Sequence, residues 1–538
     1  MADLESGYDY IIVGSGSAGC VMANRLSADP AVRVLLLEAG GEDSGFWLKL
    51  PVGYFRSIYD SQHARLFKTD ADPGIAGRQM DCPRGQVVGG SSSINGLIFI
   101  RGQHQDFDDW AAAGASGWDF ENVLPAFKRL ERYAGGDPAY RGRDGELSVS
   151  DLRNQNPLCD AWLAAANATG LPPNDDFNGE STFGVGRYQL SIDGHWRASA
   201  SRAFLKPVRN RPNLTVLTNA PVSRVLFKGT RATGVEWVRQ GQPQQAMADQ
   251  EVILCAGAIQ SPQLLQLSGV GPAKLLQELG IPIVADREQV GMNLQDHMQM
   301  RTVFRLRGGG SLNQDVRNPL SLAKMGAQWL FGQSGPLTVG AGQVGGGAAS
   351  PLAKNGRPDL QFIVMPLSVD KPGMPLHKYR GFTSSVWQCH PSSRGRVAIR
   401  STDPLANPSI QCNYLSTEHD RQTMIEGVRM TREIAAQSPF RQLWEEEIIP
   451  GEREASDDAS VLAAIQKYSG TVYHVCGTSR MGSDTEAVVD PMLRVNGVER
   501  LRVIDASVMP QITSANTNAA TLMIGERGAE IVRQSARP

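Results

Sequence analysis

Apolar positions along this chain fall into short blocks parted by glycine-rich turns, and the spacing inside each block predicts its element. An apolar run, Ile11 to Val13, meets Gly14-Ser-Gly16-Ser-Ala-Gly19; an amphipathic segment follows, and a second apolar run, Val34 to Leu37, delivers Glu38. That order predicts strand, tight turn, helix, strand and acid. From Phe107 to Tyr133 the period is helical, with Trp110, Trp118 and Phe127 as core anchors, and Pro157 to Thr169 is helical again. Asn213 to Leu217 and Val222 to Phe227 predict short strands. A buried strand beginning at Glu251 turns at Ala256-Gly257 into a helix, which predicts a return to the first, parallel sheet. Residues 301–465 hold alternating strands, among them Gln361 to Met365 and Ser384 to Cys389, and close with a helical stretch, His419 to Gln437. A last strand, Leu501 to Asp505, again carries an acid at its carboxyl end, and a helix runs to about Val532.

Three stretches resist a period. Gly40 to Gly77 is rich in glycine, proline and aromatics, and is expected to wrap the surface or a cofactor. Gly89-Gly90-Ser91-Ser92-Ser93 offers donors without bulk, which suits close approach to a planar ring or phosphates, and a strand-like apolar run follows it. Gly335 to Gly347 (GPLTVGAGQVGGG) reads equally as a hinge or lid near a substrate or as a mobile surface loop.

The glycines of the N-terminal hexapeptide serve three mechanical ends, namely a tight turn, backbone approach to a pyrophosphate, and close packing of helix on strand. The helix that follows presents unpaired N–H groups to the phosphates, and Glu38 is placed to accept from a ribose diol. The fingerprint indicates a dinucleotide without distinguishing NAD from FAD.

Composition narrows the rest. With 538 residues the chain exceeds what one core holds, so two domains or one with large insertions are expected. A formal net charge of −2 with interspersed acids and bases gives no footprint for nucleic acid. No window of 18 apolar residues occurs, and the first strand begins too near Met1 for a signal peptide, so a cytoplasmic location is expected, with peripheral membrane contact left open. Seven scattered cysteines without a CxxC pair read as reduced, mostly buried thiols.

Taken together, the N-terminal fingerprint, Gly85 to Asn95, Gly257 to Gly271 (GAIQSPQLLQLSGVG) and His474 to Asn518 occur in an order that resembles the glucose-methanol-choline oxidoreductases, flavoproteins that oxidise alcohols. Gln86 departs from the family pattern, where lysine is common. The resemblance implies FAD, with Gly14, Ser15, Gly16, Ser17, Ala18 and Gly19 at the pyrophosphate, Glu38 at the adenosine ribose and Val222 at the adenine. It places Val88, Gly90, Asn95, Gly96, Leu97 and Ile98 beside the isoalloxazine, and Asp505 with Ala506 over the pyrophosphate and ribityl chain. Ala39, Tyr473 and Thr517 complete the cofactor set. Some members attach flavin through a histidine of the double-glycine loop; Ile94 stands there, so non-covalent FAD is expected. The implied fold class is α/β, a discontinuous Rossmann-like FAD-binding domain (1–150, 206–300 and 466–538) with a substrate-binding domain (151–205 and 301–465) built as α+β on an antiparallel sheet with helices.

By the same resemblance the chemistry rests on Tyr473-His474-Val-Cys-Gly-Thr-Ser-Arg-Met-Gly482 and Thr513-Ser-Ala-Asn516-Thr-Asn518. Oxidising a primary alcohol to an aldehyde removes a hydroxyl proton and a hydride, the latter to flavin N5. A base near neutrality is wanted, which histidine supplies without a large shift: His474 is the expected general base and Asn516 its partner. Val475 and Ser479 depart from the common His-Pro-Cys-Gly-Thr-Cys pattern and bear on loop shape. His297, in Asn293-Leu-Gln-Asp-His, is expected to be structural or supporting. The other six histidines show no metal-site spacing, and no Gly-x-Ser-x-Gly elbow occurs. The alternatives are an oxidase using O2 in place of a quinone or dye acceptor, and a non-redox lyase on the same scaffold. Light-driven decarboxylating relatives carry a cysteine near the motif that here reads Val339 to Gln343. With no charged or aromatic cage for a quaternary ammonium in view, neutral aliphatic or aromatic primary alcohols are the expected substrates.

Overall fold

A computed structural model describes residues 7–239 and 241–535. The strand Tyr8–Val13 is buried almost throughout and lies parallel between Val34–Leu37 and the C-terminal half of Gln242–Leu254. Leu214–Leu217 extends the parallel sheet beyond Val34–Leu37, and Leu501–Val503 pairs on the far side of Val252 to Leu254. The final strand is therefore separated from the first by Gln242–Leu254. Continuous apolar blocks are what a sheet covered on both faces demands.

Gln242–Leu254 serves two ladders. Its first half pairs antiparallel with Arg231–Arg239, which pairs with Val222–Lys228, and its second half enters the parallel sheet. Helices Ser17–Leu26 and Thr517–Ser535 pack on this sheet together, and a Cβ on Gly525 would meet the Ala18 backbone at 2.9 Å. The predicted helical stretch after Phe107 is two helices, His104–Ala112 and Phe120–Leu130. Gly114 (φ +98°) and Gly117 (φ +81°) break it, and Asp119 caps the second helix by accepting from the Asn122 N–H. Trp110, Trp118 and Phe127 are buried as expected.

The second sheet is antiparallel, ordered Val344–Ala348, Leu360–Met365, Gly381–Gln388, Met298–Leu306 and Trp444–Ile449, with Gly470–Thr471 beside Met298 and Gln299. One face packs on helices Pro157–Ala168, Glu418–Ala436 and Asp458–Tyr468 through Trp162, Val428 and Ile465. The opposite face presents Gln299, Arg301, Ile363, Met365, Ser385 and Trp387 to a large cleft, as the alternation of a strand requires.

Two sequence expectations change here. The passage Gly335 to Gly347 is neither a lid nor a surface loop in its second half: Val344–Ala348 is a wholly buried strand. Its glycines are steric, since a Cβ on Gly346 would lie 1.9 Å from the Gly184 carbonyl oxygen. The apolar run Leu97 to Ile100 is buried without being a strand; Leu97 sits at φ +69°, and a single bridge, Ile98 to Leu190, ties it down. All seven cysteines are free and buried. Among the described residues no helix is long and apolar enough to cross a membrane.

Candidate active site

The cleft has about 2300 Å³ of atom-free space, part of it open to solvent, and it runs from the carboxyl ends of the parallel strands to the inner face of the antiparallel sheet. At one end Gly14, Gly16, Ser17 and Ala18 line it. Gly14 turns at φ +100°, and a Cβ on Gly16 would meet only the Cys255 oxygen, at 3.9 Å, so its outward side is open. Helix Ser17–Leu26 begins without a side-chain cap, leaving its first N–H groups to the cleft. Thr517 and Asn518, which open the C-terminal helix, line the same space, and Ser17 Oγ donates to Asn518 Oδ1 at 2.7 Å. Two helix N-termini on one cavity make a site for phosphates.

Glu38 is buried, and burial raises its pKa. Its Oε2 accepts from the Ser15 N–H (2.9 Å) and hydroxyl (2.6 Å), and Oε1 accepts from the Gly40 N–H (2.9 Å). Oε1 keeps acceptor capacity for a ribose hydroxyl. The Asp505 carboxylate accepts from Gly257 N–H, Ser261 Oγ and Ser507 N–H at 2.8, 2.5 and 2.8 Å. Its side chain thus clamps the end of the last strand to the start of helix Gly257–Leu267. Asn95 Oδ1 accepts from Arg197 Nη1 at 2.6 Å, and that buried guanidinium also donates to the carbonyls of Leu48 and Ser92. Burial without a carboxylate partner lowers the Arg197 pKa to about 9.

At the other end Tyr473, His474 and Asn516 meet the inner face of the second sheet. Tyr473 adopts φ +67°, a strained conformation for an aromatic residue. It is over-determined: Thr471 Oγ1 accepts from its N–H, Arg84 Nη1 donates to its carbonyl, and its hydroxyl meets that of Tyr59 at 2.8 Å. The next N–H, that of His474, donates to buried Asp296 Oδ1 at 2.8 Å. This turn aims the imidazole into the cleft.

A chain of hydrogen bonds then assigns its protons. His297 Nε2 lies 2.9 Å from the Cys389 carbonyl oxygen, which can only accept, so Nε2 carries the proton. In neutral His297, Nδ1 is therefore a lone pair, and the His474 Nδ1 lying 3.0 Å away must donate to it. His474 Nε2 is left as the basic nitrogen, accepting from Asn516 Nδ2 at 3.0 Å. Burial pushes the His297 pKa down to about 4. It pushes His474 well below the usual value, and two protonated rings side by side, as well as the nearby Arg84 charge, are disfavoured further. The expectation that histidine needs no large shift is corrected: its enclosure holds it neutral. Asn516 Oδ1 is buried without a partner.

Most residues singled out from the sequence converge here. Gly14, Gly16, Ser17, Ala18, Glu38, Ala39, Gly90, Asn95, Gly96, Leu97, Ile98, Val222, Tyr473, His474, Asp505, Ala506, Asn516 and Thr517 line the cleft. Ser15, Gly19 and Val88 do not: Ser15 is occupied by Glu38, Gly19 lies where a Cβ would meet the Gly14 oxygen at 1.9 Å, and Val88 is fully buried. Ile94 lines the cleft as an aliphatic group with no nucleophile for a covalent cofactor bond. Val475 and Ser479 are buried away from the cleft, and Ser479 Oγ has no partner among the described residues. Sequence reasoning missed Gln299, Arg301, Ser385 and Trp387, whose convergence depends on strand register.

Comparison with known proteins agrees with this geometry. The profile described as GMC oxidoreductase matches residues 8–299 with its N-terminal part and 391–525 with its C-terminal part. The chain is 40% identical to "Alcohol dehydrogenase [acceptor]" of Pseudomonas putida over 98% of this chain and 95% of that protein. It is also 40% identical to an "Oxygen-dependent choline dehydrogenase" of Escherichia coli, with the same coverage of both chains, 98% and 95%. Among solved structures, pyridoxine 4-oxidase from Mesorbium loti superposes with TM-score 0.88 at 30% identity, covering 98% of this chain and 99% of its own. A formate oxidase from Aspergillus oryzae, whose FAD modification was studied, gives TM-score 0.91 at 25% identity and 99% coverage of both. A chain matched by both parts of the profile and nearly end to end by these relatives, with two helix N-termini at one end of its cleft and a buried histidine–asparagine pair at the other, belongs to the GMC oxidoreductase family, which oxidises CH–OH groups with FAD.

Proposed function

We propose that the protein is an alcohol dehydrogenase that converts a primary alcohol to an aldehyde, with His474 as general base and Asn516 as its partner. Bound FAD supplies the hydride acceptor; the open face of Gly16, the two helix N-termini and the free capacity of Glu38 Oε1 fit its pyrophosphate and ribose. The parallel-sheet segments serve the cofactor and the antiparallel sheet shapes the substrate end. The observation that carries the reading is the chain from the Cys389 carbonyl through His297 and His474 to Asn516.

The Asn516–His474 hydrogen bond marks where a hydroxyl inserts. A hydroxyl both donates and accepts, so it can donate to His474 Nε2 while accepting from Asn516 Nδ2, replacing the direct bond without leaving either group unsatisfied. His474 then holds the proton while Asn516 stabilises charge on oxygen. A positioned base contributes ~100- to 10,000-fold. His474→Ala should lower the anaerobic rate of flavin reduction by roughly that factor with FAD still bound; near-normal reduction would remove the role.

Only Glu38 and Asp505 among the cleft-lining residues are acids, and both stand at the dinucleotide end. This supports an alcohol other than a quaternary ammonium. For the electron acceptor, a quinone or dye is the reading, supported by the "[acceptor]" relative; O2 is the second, supported by the oxidases among the structural relatives. Turnover under O2 alone against turnover with a quinone separates them. A cytoplasmic location accords with seven free, buried thiols.

A further inference from the structure

The wall opposite His474 is built in rows by the register of three antiparallel strands. One row is Gln299–Trp387–Gln361, and Trp387 lies edge-on to the His474 ring at 6.1 Å. The next row on the same face is Arg301–Ser385–Ile363, displaced along the strands by two residues or about 7 Å. Tyr54, Phe55, Ile58, Met365 and Val472 supply apolar surface around these rows.

The outer row sets a donor-only guanidinium beside an unpartnered hydroxyl. Arg301 lines the cleft, part-buried, and its one hydrogen bond runs from Nη1 to the Asp370 carbonyl at a long 3.3 Å. No carboxylate forms an ion pair with Arg301 among the described residues; the Asp370 side chain lies against His377. Ser385, directly across from Arg301, is 1% exposed, and its Oγ has no partner. Trp387 Nε1, in the inner row, is likewise buried and unpartnered. A buried polar group left unpaired costs about 1–3 kcal/mol, so the unpaired Ser385 hydroxyl and Trp387 N–H beside a guanidinium with spare donors fit a ligand that offers acceptors. At the opposite pole the orphan is an acceptor, Asn516 Oδ1. The cleft therefore has room for a hydroxyl beside His474, apolar side chains along its wall, and at Arg301 a guanidinium whose one hydrogen bond goes to a backbone carbonyl, whereas Arg84 is turned to the Tyr473 carbonyl.

We infer that Arg301 and Ser385 form a subsite for the carboxylate of a hydroxy acid, which presents its primary hydroxyl to His474 and lays its hydrocarbon body along Ile363, Met365 and Tyr54. The inference rests on the alcohol-oxidation reading of His474 and Asn516 and deepens it by naming the substrate class. The row spacing requires hydroxyl and carboxylate to be separated by a ring or several methylenes, as in 4-(hydroxymethyl)benzoate or 6-hydroxyhexanoate. A substrate carrying a fixed positive charge would meet Arg301 with no compensating acid on that wall.

The test uses the FAD-loaded enzyme and matched pairs: 4-(hydroxymethyl)benzoate against its methyl ester, and 6-hydroxyhexanoate against 1-hexanol. A charge-assisted guanidinium–carboxylate contact predicts that kcat/KM for flavin reduction favours the anion by ~10- to 100-fold, that Arg301→Gln erases most of this ratio, and that Arg301→Lys restores part of it. An anion-to-neutral ratio identical in wild type and Arg301→Gln overturns the subsite. A second arm needs no turnover: 4-methylbenzoate, which lacks the hydroxyl, is titrated into the oxidised holoenzyme and followed by flavin absorbance. Saturable binding weakened at least ~10-fold by Arg301→Gln supports the subsite; equal affinity, or no binding to either, counts against it. If no alcohol bleaches the flavin while 4-methylbenzoate binds through Arg301, the oxidation reading fails and the subsite stands.

Discussion

At the scale of single residues, the active end is organised by proton placement. One backbone carbonyl, that of Cys389, sets the His297 tautomer, which sets that of His474, which leaves Nε2 facing the cleft. His297 is thus a positioning residue, and the choice of replacement should matter in a defined way. His297→Asn can keep an acceptor for the His474 Nδ1–H, whereas His297→Leu cannot. Stopped-flow flavin reduction should fall on the order of 100-fold in His297→Leu, with substantial recovery in His297→Asn and little change in KM. Equal losses in the two would mean that the ring acts by packing alone. The histidine and asparagine proposed as base and partner stand out in the sequence because their surroundings are local: His474 and Asn516 each sit inside a compact motif. The proton assignment does not, because it depends on a second histidine 177 positions from His474 and on a carbonyl brought in from a third part of the chain. Arg301 and Ser385 were illegible for a similar reason, since they are neighbours only through strand register.

At the scale of elements, glycine has opposite meanings in two places that look alike in the sequence. In Val344–Ala348 the strand approaches neighbouring backbone so closely that a Cβ on Gly346 would fall 1.9 Å from the Gly184 oxygen. Backbone cannot yield as a side chain can, so Gly346→Ala should destabilise by about 1–3 kcal/mol and lower Tm. In helix Pro319–Gly332, a Cβ on Gly326 would meet nothing within 4 Å. Gly326→Ala should therefore leave Tm unchanged or raise it slightly, by up to about 1 kcal/mol of helix propensity. Thermal melts of the two variants check both signs. The strand–turn–helix–strand unit at the N-terminus was predictable because every clue to it lies within one short segment. The buried glycine strand is hidden in the sequence because its partners, Phe183 and Leu360–Met365, are distant in sequence and its composition mimics a loop.

For the molecule as a whole, enclosure of the two histidines links the site to acid stability. His297 has its folded pKa lowered to about 4 and His474 well below the usual value, so both bind protons less readily in the folded state than in the unfolded one. Their contribution is fully present above pH ~6.5 and is lost as pH falls, at about 1.4 kcal/mol per pH unit for each histidine within its window. Buried Glu38, Asp296 and Asp505 have raised pKa values and act with opposite sign, favouring the folded state as they take up protons. Their effect opposes that of the histidines, so the histidine contribution is read as the difference in slope between wild type and a histidine variant. Tm measured from pH 7 to 5.5 should therefore fall in wild type and fall less steeply in His297→Asn; identical slopes would show that His297 does not carry the dependence.

The strand Gln242–Leu254 has a consequence for how the chain comes to exist. Its second half is flanked by Tyr8–Val13 on one side and Leu501–Val503 on the other. During synthesis from the N-terminus, the sheet therefore waits with an open edge through some 250 further residues. The Asp505 clamp, the second phosphate-facing helix start and Asn516 all arrive after that last strand. A nascent chain that has made the first glycine turn still lacks Asp505, Ala506 and Asn516 to Asn518 on the cavity wall until that late segment has been synthesised, so the complete cleft forms only after it. Ribosome-bound or truncated products ending before Leu501 would bear an unpaired hydrophobic strand edge and depend on chaperones to keep it from pairing elsewhere.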